Sequence, residues 1–579
     1  MERIKIHPSF WLHFFLAAFS LVLLNPSQGM SQSGVIRKYL VYFRNKDNNG
    51  FSVDNPEQYL TQRSIQRRRR QNIPVKVMDM PVTPAYRQAL AQVPGVNVWY
   101  TSRWLNAALI ECDTDVVAGL DALPFIQNTE RLTLGNRPGK KKNGLPGNTP
   151  GDLCRQNLNI CSIASDSNIS YGASQNQVAM LGADSMHAAG FTGQGKIIAI
   201  LDAGFQGAKT HAAFRALNGR NGILGVYDFV TRDSVLNVNH PHGGQVFSLM
   251  GAYAPGNLIG TAFDASFYLF RTEDAPTEKR EELAYWLIGA ERADSMGADL
   301  INSSLGYTNG MTDPSRDYLF SDMNGRTTPA SKAATLAASV GILVVVAAGN
   351  QGEDMDWGGH IGAPADADSI ITVGSVTAAG TYSSFSSRGP TADGRIKPDL
   401  SAQGSASVVI NPGTADLYMA GSGTSFASPI LCGFAASFWS AHPELTSFDV
   451  LNILKASGSQ ADTPDNYAGW GIPNLKRAQS LLASGVEKLN TGKGFLVYPN
   501  PANSSSVSIT VLSNNTFSGV CSIEITNASG KVIKAAENVD FGEAGRINYS
   551  LPEDIATGVY FIKISNQNSG KRVIKFVKQ

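Results

Sequence analysis

Short apolar runs alternate with longer helical stretches between about residues 174 and 484. Three of these runs, at 196–201, 341–346 and 370–373, are dominated by Ile, Leu and Val. Strands that are buried on both faces have this composition, and their alternation with helices is typical of a parallel sheet that helices cover on both sides. The pattern therefore predicts an α/β domain with a doubly wound parallel sheet. Its functional groups should gather at the carboxyl ends of the strands.

Different patterns flank this domain. Between 35 and 135, strand-like runs such as 39–43 and 107–110 alternate with helical stretches, which predicts a small α+β domain. From 495 to 579 the apolar residues recur with a period of two, and about seven short strands predict a small β-sandwich. Residues 136–173 are rich in Pro, Gly and Lys without apolar periodicity, and we expect them to form a linker that proteases can reach.

A basic run, Arg67 to Arg70, lies in the stretch 56–71, which is predicted to be helical. Such a run can mark a processing site or a nucleic-acid patch. We interpret it as the solvated basic face of a surface helix.

The first 29 residues have the order of a secretory signal peptide. Arg3 and Lys5 precede an apolar run of 15 residues at 10–24, and small residues follow it. The run is shorter than the roughly 20 residues that a membrane-spanning helix needs. We therefore predict a signal peptide at 1–29 and an exported protein that is not integral to a membrane.

Composition excludes several classes of protein. The chain has 579 residues, 43% of them hydrophobic, so an intrinsically disordered protein is excluded. Its net charge of +1 provides no field that would attract nucleic acid. The five cysteines are too few for a disulfide scaffold, and only Cys154 and Cys161 are close enough in sequence to suggest a local bridge, which stays open. The sequence contains no Cys or His spacing that is typical of zinc.

Four polar side chains stand where predicted strands or helices meet glycine-rich turns. Asp202 follows the strand at 196–201, and Asn350 follows the strand that ends at 346. His242 and Ser425 each stand at the start of an apolar helix, the second of which is predicted over 430–439. Singly, an Asp or His in such a place is usually structural. Together they supply what serine catalysis needs: a nucleophile, a base, a carboxylate that orients the base, and an amide donor for an oxyanion.

These segments resemble the sequence blocks of the subtilisin-like serine proteases, the subtilases. Residues 200–204 resemble the Asp block of that family. Residues 242–246 resemble its His block, usually HGTHV, with Gly244 and Gln245 in place of the Thr and the second His. Residues 423–429 are similar to its Ser block, GTSMASP, with Phe in place of Met.

The resemblance covers most of 174–484 and implies a role for each of the four residues. Asp202 would orient His242, which would act as general base and then as general acid, and Ser425 would be the nucleophile. Asn350 and the backbone N–H of Ser425 would form the oxyanion hole.

Two further segments resemble substrate-binding segments of subtilases. Ser304-Leu305-Gly306 resembles the strand that pairs with the backbone of a peptide substrate. Ala347-Ala348-Gly349 resembles the wall of the pocket for the residue before the cleaved bond. The small side chains of that wall leave room for a bulky substrate side chain.

The flanking domains carry resemblances of their own. The first domain is similar to the inhibitory propeptides of subtilases. Such a propeptide inhibits the protease domain of its own chain until it is cut away. The last domain resembles the C-terminal sorting domains of bacterial type IX secretion, with YPNP at 498–501 and GxYxxK at 558–563. That resemblance implies Sec export, passage across an outer membrane, and release or attachment at the cell surface. A β-sandwich that binds carbohydrate or protein is the alternative for this domain.

We therefore predict a secreted serine endopeptidase that acts through an Asp-His-Ser triad and an acyl-enzyme. A surface adhesion or scaffold protein on an inactive subtilase fold is the alternative, and the presence of all four residues favours the enzyme. A lipase or esterase would need a G-x-S-x-G motif, which is not found around Ser425.

The expected partners are protein or peptide substrates, the chain's own propeptide and the secretion machinery, and not nucleic acid. No cofactor is expected to be required. Many subtilases bind structural calcium, so calcium stays possible, but no DxDxDG loop indicates it.

Overall fold

The computed structural model describes three long stretches and parts of the C-terminal region: residues 35–132, 169–236, 240–490, 495–498, 506–511, 520–527, 531–540, 546–552, 555–566 and 570–578. The predicted signal peptide, most of the predicted linker with Cys154 and Cys161, and most of the YPNP motif lie outside these residues. The chain divides into two compact units. The first contains the chain up to Gly50 together with Val82–Arg137, and the second contains Phe51–Pro81 together with the chain from Pro138 onward.

The helices and strands are numbered in chain order over the described residues. The α-helices are α1 (Gln62–Arg70), α2 (Pro84–Ala91), α3 (Thr114–Leu120), α4 (Gln175–Ala179), α5 (Ala183–Ala188), α6 (Arg215–Gly219), α7 (His242–Gly251), α8 (Arg280–Met296), α9 (Pro329–Ser339), α10 (Thr424–Ala441), α11 (Ser447–Ala456) and α12 (Leu475–Asn490). The strands are β1 (Ile36–Phe43), β2 (Asn97–Ser102), β3 (Ala107–Asp113), β4 (Ile126–Arg131), β5 (Ile197–Asp202), β6 (Ile223–Asp228), β7 (Tyr253–Ala254), β8 (Leu258–Ile259), β9 (Ser266–Arg271), β10 (Leu300–Ser303), β11 (Leu343–Ala347), β12 (Ile371–Val376), β13 (Leu400–Gln403), β14 (Ser407–Ile410), β15 (Tyr418–Gly421), β16 (Phe495–Tyr498), β17 (Ser506–Val511), β18 (Val520–Asn527), β19 (Val532–Asp540), β20 (Arg546–Ser550), β21 (Gly558–Asn566) and β22 (Gly570–Lys578).

The first unit is a small α+β fold, as the sequence pattern predicts. Its four antiparallel strands lie in the order β2-β3-β1-β4. Alternate residues of β1, Tyr39, Val41 and Phe43, are buried in one cluster with Leu90 of α2 and Leu120 of α3. The period of two places these side chains on the same face of the sheet, where the helices cover them.

The second unit contains a seven-stranded sheet in the order β13-β12-β11-β10-β5-β9-β6. All neighbouring strands in it run parallel. Ile198 and Ile200 of β5 face a core that includes Phe247 of α7 and Ile430 of α10. Leu201 faces the other side, where a Cβ added to Gly289 of α8 would lie 3.3 Å from its side chain. Helices therefore cover both faces, which confirms the predicted doubly wound parallel sheet.

The C-terminal strands form two antiparallel sheets, β16-β17-β20 and β19-β18-β21-β22. Tyr549 of the first sheet shares a buried cluster with Ile523 and Ile562 of the second. The two sheets therefore pack against each other through their apolar faces, as a β-sandwich does. None of the described helices has both the length and the apolar character that crossing a bilayer requires.

Helix α1 corrects the interpretation of Arg67–Arg70 as a solvated face. The last two arginines of the run are exposed, but Arg67 and Arg68 are only 4% and 1% exposed. Both guanidinium groups pair with the carboxylate of Asp294, and Arg68 also pairs with Asp79 at 2.9 Å. The charge pattern cannot reveal these partners, because Asp294 lies 226 residues from Arg68 in the sequence.

A buried cluster of charges stands at the start of β13. Asp399, which is 4% exposed, lies 2.5 Å from the ammonium group of Lys397 and 2.8 Å from that of Lys455. Burial alone would raise the pKa of Asp399, but the two positive charges outweigh burial and lower this pKa to about 2. A carboxyl group whose pKa is lower in the folded than in the unfolded state stabilises the fold above about pH 4.

We expect this contribution, about 2 kcal/mol of the free energy of unfolding, to be lost as the pH falls from about 4 through about 2. Urea unfolding at a series of pH values measures the loss. Replacing Asp399 with Asn should remove this part of the acid dependence, whereas replacing the exposed Asp416 with Asn should leave it in place. An unchanged acid dependence in Asp399→Asn would contradict the assignment.

Candidate active site

Asp202 and His242 are in direct contact. Asp202 is the last residue of β5, and its side chain is fully buried. Its Oδ1 accepts a hydrogen bond from the backbone N–H of Ala203 at 2.7 Å and lies 2.7 Å from Nδ1 of His242. A carboxylate at this nitrogen holds the proton on Nδ1 and leaves Nε2 free to act as a base.

Two glycines allow helix α7 to begin close to β5. A Cβ on Gly243 would lie 2.3 Å from the carbonyl oxygen of Gly204 and 3.0 Å from Cγ of Asp202. A Cβ on Gly244 would lie 2.0 Å from the carbonyl oxygen of Gln206. A larger residue at either position would push the helix, and His242 with it, away from the carboxylate. Gly244, where the subtilase block usually has Thr, therefore fits the close approach of the backbone here.

Ser425 is the second residue of α10 and is 4% exposed. Its hydroxyl donates to the carbonyl oxygen of Ser304 at 3.3 Å, and the hydroxyl of Ser304 donates to the carbonyl oxygen of Ser425 at 2.9 Å. These two hydrogen bonds attach the first turn of α10 to the chain that follows β10. Ser425 therefore lies beside one of the predicted substrate-binding segments.

Helix α10 begins earlier than predicted, at Thr424, so that Pro429 lies inside the helix. Proline has no N–H and cannot donate to the carbonyl of Ser425 four residues before it. The hydroxyl of Ser304 takes the place of this missing donor. The proline thus leaves a carbonyl free for a contact with a different segment.

Asn350 lies in the loop after β11, and Thr424 fixes the orientation of its amide. The Oδ1 atom of Asn350 accepts from the backbone N–H of Thr424 at 2.9 Å and from its hydroxyl at 3.1 Å. With the oxygen held in this way, Nδ2 lies 3.4 Å from the position that a Cβ on Gly423 would take, just before Ser425. A free N–H donor thus stands at the N-terminus of α10, where the helix dipole also favours negative charge.

Both predicted substrate-binding segments lie close to the first turn of α10. Ser304-Leu305-Gly306 continues beyond the carboxyl end of β10, with Gly306 exposed and the two residues before it buried. Ala347-Ala348-Gly349 contains the last residue of β11, and the N–H of Gly349 donates to the hydroxyl of Thr424 at 3.1 Å. The structure therefore brings all the sequence-predicted site residues to one end of the parallel sheet.

A group of buried acidic side chains lies next to the 304–306 segment. The hydroxyl of Tyr307 donates to Glu273 at 3.3 Å, and burial, together with the charge of Glu273, raises the pKa of Tyr307 well above its usual range. Oxygen atoms of Glu273, Glu278 and Glu282 lie within 4.8 Å of one another, close enough to hold a cation. Both oxygens of Glu282 already accept backbone N–H groups. That no cofactor is required and that calcium is possible therefore both remain predictions.

Two contacts of the site are not predicted from the sequence pattern. Thr424 orients the side chain of Asn350. No local sequence pattern predicts this contact, because the two residues are 74 positions apart. The hydroxyl of Ser304 binds the carbonyl of Ser425, and here Pro429 is a signal, since it leaves that carbonyl without its helical donor.

The part of the chain that contains these residues is similar to known proteins. Residues 193–471 match the model of the subtilase family. Over 313 residues the chain is 30% identical to subtilisin of Bacillus pumilus, which covers 54% of this chain and 98% of that protein. The chain belongs to the subtilase family. It is also 30% identical to subtilisin E of Bacillus subtilis (strain 168), over 54% of this chain and 71% of that protein, and 28% identical to subtilisin DY of Bacillus licheniformis, over 52% and 97%.

The flanking regions of this subtilase match two further models. Residues 38–144 match the Peptidase S8 propeptide domain of Bacteroidota, and residues 496–579 match a secretion system C-terminal sorting domain. Both predicted resemblances are confirmed. The chain is thus a serine endopeptidase with a propeptide and a secretion sorting tail, whereas the domain boundaries predicted from the sequence stay predictions.

Proposed function

We propose that this subtilase cleaves peptide bonds with Ser425 as nucleophile, His242 as general base and general acid, and Asp202 as the group that orients His242. The 2.7 Å contact between Nδ1 of His242 and the fully buried carboxylate of Asp202 carries the proposal. The imidazole ring also lies beside the ring of Phe426, the residue after Ser425, with 6.2 Å between the centroids. An acid, an imidazole and an alcohol in this neighbourhood suit acyl transfer.

The reaction would proceed through an acyl-enzyme. The hydroxyl of Ser425, which donates to the carbonyl oxygen of Ser304 here, would turn to donate to Nε2 of His242 when the substrate is bound. Its oxygen attacks the carbonyl carbon of the substrate while His242 takes the proton, and His242 then gives this proton to the leaving amine. Water attacks the resulting ester with His242 again as base, which releases the acid product and restores Ser425.

The oxyanion of each tetrahedral intermediate would accept hydrogen bonds from Nδ2 of Asn350 and from the backbone N–H of Ser425. Replacing Asn350 with Ala should therefore lower kcat by about 10²- to 10³-fold with little change in KM, because the donor acts mainly in the transition state. Steady-state kinetics on a chromogenic peptide measure both constants. Replacing Asn257, an exposed amide, with Ala should change neither. A loss carried mainly by KM would contradict this role.

Labelling with a serine-directed sulfonyl fluoride tests the nucleophile. Mass spectrometry of the treated enzyme should find one adduct, on Ser425, that forms in parallel with the loss of casein hydrolysis. Replacing His242 with Ala should slow the labelling strongly, because the hydroxyl then has no base. Full casein hydrolysis by a fully labelled enzyme would refute the proposal.

We further propose that Ser304-Leu305-Gly306 pairs with the main chain of the substrate and that Ala347-Ala348-Gly349 forms the wall of the pocket before the cleaved bond. The exposed backbone at Gly306 supports pairing through main-chain hydrogen bonds, which gives affinity with little sequence preference. The small residues of the second segment leave room for a large substrate side chain.

The sorting tail implies secretion or export to the cell surface. We propose that the signal peptide predicted at 1–29 directs Sec export and that the type IX machinery then carries the protein across an outer membrane. The propeptide would inhibit the catalytic domain until the chain is cut in the linker predicted at 136–173.

A further inference from the structure

One segment of the propeptide packs as part of the catalytic unit. Residues 51–81 lie inside the propeptide match at 38–144 but belong to the compact unit that contains the parallel sheet. The chain before and after this segment forms the other unit. The propeptide therefore contains a piece whose packing partners are residues of the protease domain.

Buried charges hold this segment in place. Arg68 donates from its two terminal nitrogens to the carboxylate of Asp294 at 2.9 and 2.8 Å, and to Asp79 at 2.9 Å. Arg67 pairs with the same carboxylate and donates to the carbonyl oxygen of Ala298 at 2.6 Å. Asp294 is completely buried. A buried carboxylate is costly without cations beside it, and here the propeptide supplies two cations.

Further contacts surround the charge cluster. The Nε atom of Arg63 donates to the carbonyl oxygen of Gly297 at 3.0 Å, just past the end of α8. Carbonyl groups at the end of a helix lack helical donors and carry partial negative charge, so cations bind well there. Gln71 donates to the carbonyl oxygen of Gly341 at 2.7 Å and accepts from the backbone N–H of Ser447, at the start of α11, at 2.9 Å.

We propose that residues 51–81 are a docking element that keeps the propeptide bound to the protease domain after the linker has been cut. A cut in the linker removes the covalent connection but none of the contacts described above. The face around Asp294 is thus a binding site for a cationic helix, and its occupant is α1. None of the contacts described above involves the residues proposed for catalysis. Docking through this segment therefore does not depend on the proposed roles of those residues.

An inactive precursor that is cut only in the linker tests this element. The full chain carries Ser425→Ala and, within 136–173, a recognition sequence for a highly specific protease. After cleavage, the propeptide fragment should elute together with the protease fragment in gel filtration and dissociate slowly. Arg67→Ala with Arg68→Ala should raise the dissociation rate constant about 100-fold or more, because it leaves the buried carboxylate of Asp294 without its cations.

Matched variants separate docking from loss of the fold. Arg69→Ala with Arg70→Ala removes the same charge from exposed positions of the same helix and should change the rate less than about threefold. Asp294→Asn should accelerate dissociation in a similar way to the Arg67 and Arg68 pair, and combining the two changes should add little further acceleration. Circular dichroism of each complex before separation establishes that the fold is intact.

Should the double alanine variant fail to fold, Arg68→Lys gives the same test with a smaller effect. Lysine keeps the positive charge but cannot form the bidentate hydrogen bond to the carboxylate of Asp294, so we expect dissociation to be about tenfold faster. The proposal is overturned if the wild-type fragment separates as soon as the linker is cut. It is also overturned if the Arg67 and Arg68 variants dissociate at the rate of the Arg69 and Arg70 control.

Discussion

Replacing Ser425 with Ala is expected to lower kcat/KM for peptide hydrolysis by about 10⁶-fold, the size of effect known for loss of the nucleophile in a triad. The change corresponds to about 8 kcal/mol of transition-state stabilisation. Alanine cannot form the acyl-enzyme, so what remains is catalysis by the oxyanion donors and by substrate binding. The same variant should keep its propeptide covalently attached, because the linker is expected to be cut by this active site.

Hydrolysis of a chromogenic peptide and gel electrophoresis of the secreted chain measure the two effects. Ser422→Ala is the matched control, because Ser422 is an exposed serine in the turn before α10 and should be dispensable for the chemistry. Ser425→Ala with activity within tenfold of the wild type would exclude Ser425 as the nucleophile.

Replacing Asp202 with Asn is expected to lower kcat by about 10⁴-fold while leaving the fold in place. The amide has nearly the same shape as the carboxylate, but it can donate a hydrogen bond to Nδ1 of His242. The proton of the imidazole would then sit on Nε2, which could no longer accept the proton of Ser425. The loss therefore comes from the wrong tautomer and not from a lost contact.

The expected loss appears in kcat and in the rate of labelling by a sulfonyl fluoride, since both depend on the same base. Asp264→Asn serves as control, because it makes the same chemical change at an exposed carboxylate. Equal labelling rates in Asp202→Asn and the wild type would show that Asp202 does not orient His242.

The parallel sheet of the protease domain could be predicted from the sequence because buried strands consist of apolar residues, which form recognisable runs along the chain. The strands β5, β11 and β12 lie at the predicted apolar runs, with bounds that differ by a few residues. Strands covered on both faces must be apolar throughout, whatever their neighbours are. The apolar runs do not show the order in which the strands lie side by side in the sheet. That β10 lies between β5 and β11 depends on how the helices between them pack.

The site could be predicted in part for a similar reason. Glycines mark places where the backbone comes close to another segment, and they stand beside His242 and Ser425 in the sequence. The sequence does not show which segment comes close. In the structure, Gly244 lies against the carbonyl oxygen of Gln206, and the backbone N–H of Thr424 donates to the side chain of Asn350. The prediction that Arg67 and Arg68 are exposed to solvent is wrong, because a run of charges does not show whether an acidic partner lies elsewhere in the chain.

The sequence by itself determined which chemical groups this protein has and in what order, since the acid, imidazole, amide and alcohol are properties of single residues. It also determined which stretches are apolar enough to be buried. Only the tertiary structure decided which carboxylate pairs with which basic side chain. Asp202 meets His242, 40 residues away, whereas Asp294 meets Arg68, 226 residues away. Both aspartates are buried acids, and the packing of distant segments alone makes one a candidate for catalysis and the other an anchor for the propeptide.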